Sequence, residues 1–430
     1  MTRGVAGADP NGAAKGGTDS GVLGPGGPPD GRPSDGHLPN SPQLSCRSPR
    51  FQLDGRLLDG RAVRLRIEGG RITAVDPLDA RPALPLLLPG LVDLQVNGYA
   101  GYDINADDVS ADTVMELTRA LVTRGVTSYC PTVVTASRER ILATLRIVAE
   151  ARARSPLVAQ TVVGVHVEGP YLAPADGPRG AHDARHLRDP DPDELTQWLA
   201  AAPGLVRIVT LAPERTGAVD YIRTATRAGV VVAVGHTDAS PEQIRAAVLA
   251  GARLSTHLGN GTHTVLPRHP NHVWAQLAED ALTATFIADG HHLPADAFVA
   301  MVRAKGPGRA VLVSDSVALA GCPPGEYRTP VGGTVTVDPS GRLRLTGTRL
   351  LAGSGRSLLD CVHWAAKETS FTLAEVWAMA SAAPARSLGL TGRGCVEVGA
   401  RADLCVAEQQ ETADAQVRLL STLVGGEELA

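Results

Sequence analysis

Nowhere in this 430-residue chain does an apolar run approach the roughly 20 residues needed to cross a bilayer, so a helical membrane span is not expected. The first residues also lack the apolar stretch of a secretory leader, and a cytoplasmic location is expected. The six cysteines, Cys46, Cys130, Cys322, Cys361, Cys395 and Cys405, include no C-x-x-C pair. That speaks against a thiolate zinc site and against a disulfide framework, and suits a reducing compartment where scattered cysteines are small core residues. There is no long basic run: 41 Lys and Arg are interspersed with 45 Asp and Glu, for a net charge of -4. Nucleic acid and anionic membrane are therefore not expected as partners, and a small soluble substrate is favoured. Nor does the sequence repeat itself at the periods of a solenoid.

What is present falls into three textures. Residues 1–45 are rich in Gly, Pro, Asp and Ser and poor in branched apolar residues, which predicts a disordered tail. From Phe51, FQLDGRLLDGRAVRLRIEGGRITAVD alternates apolar and polar residues between DG and GG turns, the pattern of a small antiparallel sheet. Then eight β-rich runs alternate with amphipathic helical stretches: 91–98, 126–134, 162–169, 207–214, 230–237, 253–260, 282–290 and 310–317. In SPEQIRAAVLAGA, Ser240 suits an N-cap, Pro241 the first helical position and Gln243 a capping box, while Ile244, Ala247 and Val248 form an apolar stripe. Strict alternation implies a parallel sheet, and eight strands close a (β/α)8 barrel. The α/β reading is therefore a barrel over residues 89–393, beside a small β-sandwich domain built from 46–88 and 394–430. After the eighth run, GGTVTVDPSGRLRLTGT alternates like an edge sheet. Two helices are expected after it, SLLDCVHWAAKE and TLAEVWAMASAAPARSL.

Barrel enzymes carry their chemistry at the C-terminal ends of the strands, and here those ends are polar. The third run ends in His166 and Glu168, the fifth in His236, the sixth in His257, the seventh in Asp289 with His291 and His292 beyond, the eighth in Asp315. Buried ionisable groups are costly unless paired or metal-bound. One carboxylate and two imidazoles from different strands make an open metal site, assigned to Glu168, His236 and His257, with His257 still on its strand. Oxygen and nitrogen ligands fit Zn²⁺, while Fe²⁺, Mn²⁺ and Co²⁺ accept the same set. A cation there activates water and polarises a carbonyl, and Asp315 across the mouth can take the proton and deliver it to a leaving nitrogen, which is amide hydrolysis. His166 faces the same side as Glu168 and either binds or orients ligands. Asp289, His269 and His272 are read as loop or rim hydrogen-bonding groups, and His263 as a bystander.

At these residues the chain resembles the N-acetylglucosamine-6-phosphate deacetylases of the amidohydrolase superfamily. From about residue 51 onward, LPGLVDLQVNGYAGYD, GVHVEGPYL, VTLAPE, VGHTDAS, STHLGN, FIADGHH, VLVSDS, LAGS and GARADL follow in the family's order. The resemblance implies one divalent metal per subunit on Glu168, His236 and His257, Asp315 as general base and acid, a phosphorylated N-acetyl amino sugar as substrate, and a homodimer. It also implies that Ala181 and His182 in the GAH loop, Asn260 and Gly261, and His292 bind substrate. Arg268 resembles the arginine given to the phosphate, in some members from the neighbouring subunit, and Leu351, Ala352 and Gly353 match a loop over the sugar. Two departures stand out. Where many relatives have a His-x-His pair for a second metal, this chain has Gln95 and Asn97, neutral amides that bind Zn²⁺ poorly. And where the family has an aromatic before the asparagine and Ala-Met after it, this chain has Gly259 and Gly261-Thr262. The other readings are a deacylase of the same mechanism acting on another N-acetylated substrate, and a non-catalytic sugar-binding barrel.

Overall fold

Val, Leu and Ala fill the eight β-rich runs, and each run buries nearly every side chain on both faces. The computed structural model describes residues 50–79, 81, 84–329, 333–347, 351–409 and 416–430; the tail expected over 1–45 lies outside the described residues. Ahead of the barrel come β1 (Arg50–Arg56), β2 (Ala62–Glu68), β3 (Arg71–Pro77) and β4 (Leu86–Pro89). The barrel opens with β5 (Leu91–Val96), followed by a two-strand hairpin of β6 (Gly98–Tyr99) and β7 (Tyr102–Asp103). It continues with β8 (Val126–Val134), β9 (Val165–Glu168), β10 (Val206–Leu211), β11 (Val231–Val234), β12 (Leu254–Ser255), β13 (Thr283–Ile287) and β14 (Ala310–Val313). These eight strands are parallel neighbours in chain order. Closure from β14 to β5 runs past the strand ends, through Asp315 N to Gln95 O at 3.0 Å and Asn97 N to Ser316 O at 2.8 Å. The last barrel junction is thus made by residues of the site itself.

The helix Pro241–Ala250 forms as its spacing predicts: Ser240 and Gln243 make a capping box, and Ile244 and Ala247 are buried. The expected second helix of the C-terminal pair is broken in two, Leu373–Met379 and Ala382–Ser387. At the break Ser381 turns its hydroxyl onto Trp377 O at 2.7 Å, and Ala380 O accepts from Val92 N at 2.9 Å, so the barrel floor takes the carbonyl that a continuous helix would use.

After β14 come β15 (Gly325–Thr329), β16 (Gly333–Val337) and β17 (Leu343–Leu345), which pair antiparallel into a sheet of their own. The alternation of GGTVTVDPSGRLRLTGT thus forms a separate three-stranded sheet within the 89–393 segment. Val335, Val337 and Leu343 pack on Leu319 and Val317, just upstream, and the local cluster satisfies their apolar face. The terminal strands, with β18 (Leu404–Gln409), β19 (Val417–Val424) and β20 (Glu427–Glu428), form one seven-stranded ladder, ordered β20-β19-β18-β4-β1-β2-β3. It folds over like a sandwich: Val63, Leu65, Ile67 and Ile72 share one core with Leu404, Val406 and Leu423. β4 is the hinge plate, with Leu87 in that core and Leu86 and Leu88 in the barrel's.

Asp403 pins this sheet to the barrel. Its carboxylate accepts from Arg393 (2.9 Å), Arg401 (3.0 Å) and Gly425 N (2.7 Å), while Arg393 also reaches Ser128 and Gln160 O. Removing one partner from a buried charged cluster strands the others. Asp403→Ala is therefore expected to lower unfolding free energy by about 3 kcal/mol, read from urea unfolding of the metal-loaded protein.

Candidate metal centre

Each predicted tip residue reaches the carboxyl end of the barrel, three of the four from beyond their strands. Glu168 is the last residue of β9, whereas His236, His257 and Asp315 each lie two residues beyond β11, β12 and β14. All three have left-handed backbones, with φ of 50°, 26° and 46°. That conformation costs a non-glycine residue roughly 1–3 kcal/mol and persists only where the surroundings enforce it. The expectation of His257 on its strand is corrected: β12 ends at Ser255, and the left-handed turn aims the ring inward. Thr285 supports that turn, taking His257 N on its hydroxyl at 2.7 Å.

The three side chains meet. Glu168 Oε1 lies 3.1 Å from His257 Nε2 and 3.4 Å from His236 Nε2, and the two Nε2 atoms are 3.1 Å apart. All three residues are buried. Burial works to raise the Glu168 carboxyl, but hydrogen bonds and charge from His236 and His257 outweigh it and hold the group well below the usual carboxylate range. His257 moves the opposite way: burial opposes its charge, yet the Glu168 contact raises its pKa. The cluster therefore draws a positive charge into its centre. His236 adds the decisive detail. Its Nδ1 is 2.8 Å from Pro178 O, which can only accept, so the proton belongs on Nδ1 and the Nε2 lone pair points inward. Two imidazole nitrogens and one carboxylate oxygen so placed are the donor set of a divalent cation.

Around this cluster stand the two amides. Gln95 Nε2 donates to Glu168 Oε1 at 2.8 Å, and Asn97 Nδ2 donates to Asp315 Oδ1 at 2.7 Å. Here both amides hold and orient carboxylates of the site. Asp315 is raised to about 6, first by burial and then by the charge of Glu168. His182 is buried against the centre, its ring centroid 4.5 Å from that of His236 and its Nε2 3.8 Å from Glu168 Oε2. Burial lowers it to about 3, so it is a neutral imidazole.

His292 is fixed by Asp289, whose carboxylate accepts His292 Nδ1 at 2.7 Å and the main-chain N–H groups of His291 and His292. Burial opposes the charge of Asp289, but these bonds outweigh it and hold the carboxyl at about 2. Asp289 thus orients a site histidine, a role that its place at the end of the seventh run could have signalled. His166 points into the barrel, bonded to Thr210 Oγ1 at 2.7 Å and facing Leu94 O, away from the cluster; burial takes it to about 4.

Two glycine turns close on His236. A Cβ on Gly261 would lie 2.8 Å from His236 Nδ1, and one on Gly180 would lie 3.3 Å from its Cε1. A Cβ on Gly259 would instead meet Leu293 and Met301, on the far side of the turn. Asn260 is partly exposed and donates Nδ2 to His257 O at 3.3 Å. Ala181 and Arg268 are exposed. Leu351 and Ala352 bond to β17 through the Arg344–Leu351 bridge and Ala352 N to Leu343 O, and Gly353 passes so close to Val317 that a Cβ would lie 2.4 Å away. His263 is held by Asp238 at 3.3 Å, outside the cluster.

A parallel eight-stranded barrel with one carboxylate and two imidazoles gathered at its carboxyl end, and a further carboxylate beside them, is a metal-dependent hydrolase of the amidohydrolase class. The comparisons agree. The Amidohydrolase family model matches residues 86–428. The N-acetylglucosamine-6-phosphate deacetylase of Vibrio furnissii is 34% identical over 84% of this chain and 90% of its own. The N-acetylgalactosamine-6-phosphate deacetylase of Escherichia coli O157:H7 is 36% identical over 79% of this chain and 89% of its own. The crystal structure of the Mycobacterium smegmatis N-acetyl-D-glucosamine-6-phosphate deacetylase in complex with N-acetyl-D-glucosamine-6-phosphate superposes with a TM-score of 0.77 at 31% identity, covering 88% of this chain and 99% of that one. The chain belongs to the amidohydrolase family, among the N-acetylglucosamine-6-phosphate deacetylases.

Proposed function

We infer that this protein hydrolyses the acetamide of N-acetyl-D-glucosamine 6-phosphate, giving glucosamine 6-phosphate and acetate. The observation that carries the reading is Asp315, a half-buried carboxylate held by Asn97 beside the Glu168–His236–His257 cluster, on a chain this similar to deacetylases of phosphorylated amino sugars. Glu168, His236 and His257 would hold one divalent cation, zinc by its preference for nitrogen and oxygen donors, although iron, manganese and cobalt accept the same set. When bound, such a cation polarises an amide carbonyl and acidifies water. Asp315 takes the proton from the attacking water and passes it to the departing nitrogen, so that water and amide become acetate and amine. His182 and His292, one buried as a neutral ring and one fixed by Asp289, orient the sugar, with Ala181, Asn260, Gly261 and the 351–353 loop around it.

Arg268 serves the phosphate with its planar fork. Its exposed position suits a group offered across a homodimer contact. Arg268→Ala is expected to raise KM for the phosphorylated sugar by about 10-fold or more with little change in kcat, and to leave KM for the unphosphorylated sugar unmoved. An unchanged KM for the phosphorylated sugar in Arg268→Ala would remove the phosphate role. The 36% identical galactosamine relative supports a second reading, the C4-epimeric substrate. Acetate release from a panel of N-acetylglucosamine and N-acetylgalactosamine, each with and without 6-phosphate, after metal analysis of the purified protein, tests both. No release from any of the four would overturn the function.

A further inference from the structure

Of the three clustered groups, His236 takes its orientation from outside the barrel strands. Glu168 ends a strand and accepts from Gln95, and His257 is tied by its main chain to Thr285 on the neighbouring strand. His236 lies beyond β11 on a left-handed residue, and its ring Nδ1 bonds to the main-chain oxygen of Pro178 at 2.8 Å. Pro178 is buried in a tight turn, with Gly180 N bonded to Gly177 O at 3.0 Å and His182 N to Arg179 O at 3.3 Å. Arg179 braces this turn, reaching His182 O at 3.1 Å with one arm and Asp176 with the other. Underneath, the turn lies flush on its neighbour: a Cβ on Gly177 would sit 3.0 Å from His263 Cα. Six residues thus carry both the acceptor that orients His236 and the imidazole of His182, stacked edge-on against the same ring.

We propose that the Gly177–His182 turn is a positioning device for the metal, in which the Pro178 carbonyl sets His236 with its Nε2 lone pair inward, so that cation affinity and ligand occupancy at His182 are coupled. Partners that orient a metal-bound histidine through its other nitrogen set affinity as well as tautomer. Since the same turn bears His182, a ligand that orders it strengthens the cation's hold, and the cation strengthens the ligand's by the same factor. The coupling half rests on the proposed function, through His182 as a sugar contact; the positioning half needs the metal alone. Arg179, Gly180 and Pro178 are positioning residues, since none of them donates to the cation.

The test starts from the zinc-loaded full chain and competes zinc away with a chromophoric chelator, with and without glucosamine 6-phosphate. Arg179→Ala, which removes the brace without touching His236, is expected to raise the zinc Kd about tenfold with the metal-free melting temperature unchanged. Gly180→Ala, which sets a methyl against the His236 ring, moves it in the same direction and stands in if the first variant unfolds. The His236 Nδ1 proton, bonded to Pro178 O, is expected to give a slowly exchanging NMR signal in the parent and to broaden or vanish in both variants. Glucosamine 6-phosphate is expected to lower the parent's zinc Kd by about fivefold and to lose that effect in Arg179→Ala. Wild-type zinc affinity in both variants overturns the positioning role. A tenfold loss in the variants with no effect of glucosamine 6-phosphate on the parent overturns the coupling, and with it His182 as a sugar contact, while leaving the turn as part of the metal centre.

Discussion

Asp315→Asn is expected to lower kcat by about three orders of magnitude while leaving metal content at the wild-type stoichiometry. General acid–base groups contribute roughly 10² to 10⁴. The upper part of that range applies because Asp315 serves both halves of the reaction, and the replacement keeps shape and burial while losing the basic oxygen. Because the Glu168–His236–His257 cluster is intact in this variant, metal analysis separates a lost base from a lost site. A variant that still turned over at the parent's rate would remove Asp315 from the mechanism. The same residue sets an acid limb. Burial, then the charge of Glu168, raises its carboxyl to about 6, and the base form is needed for reaction. kcat/KM is therefore expected to be full above that pH and to fall as pH drops through it, a bound cation shifting the limb downward. The hydrogen bond from Asn97 stabilises the ionised form, so Asn97→Ala should move the limb upward, which a merely structural role would not do.

Much of this was legible in the residues. The eight runs stand out because a strand buried on both faces must be apolar throughout, and a polar residue at its end must then have a task. That reasoning finds Glu168, His236 and His257, which meet in one cluster, and Asp315, which Asn97 holds. It misjudges how they arrive there, because periodicity describes regular backbone and these three last residues are left-handed beyond their strands. The runs at 253–260 and 230–237 read as long strands, yet β12 and β11 stop at Ser255 and Val234, and the remaining residues form the turn that aims each ring. The hydrogen-bond partners were least legible. Nothing in composition tells that Gln95 will hold Glu168, since that bond joins strands 73 residues apart in sequence. A main-chain acceptor such as Pro178 O carries no residue signature at all. The partners of the 325–345 strands were illegible for the same reason: alternation says that a strand needs a partner, and leaves open which partner it finds.

Loss of the metal is expected to cost more than loss of any group beside it. In His257→Ala the centre keeps one carboxylate and one imidazole, and activity should fall well beyond the about 100-fold that removing a supporting partner costs. Added zinc should not restore it at micromolar concentration, whereas parent protein stripped with a chelator should recover fully on adding zinc. The metal-free parent has its own signature. Burial disfavours a charged His257, but Glu168 outweighs burial and raises its pKa, so the proton occupies the place that a cation would take. Zinc must displace that proton, and its affinity is expected to fall as pH falls through the range just above the ordinary histidine value of about 6.5. Stability runs the other way. A histidine raised in the folded state contributes fully below its unfolded pKa and loses that contribution as pH rises through the folded one. The stripped protein should therefore melt at progressively lower temperature from about pH 6.5 upward, while the zinc-loaded protein holds its melting temperature over the same range. Parallel curves for the two forms would mean that His257 does not exchange a proton for the metal.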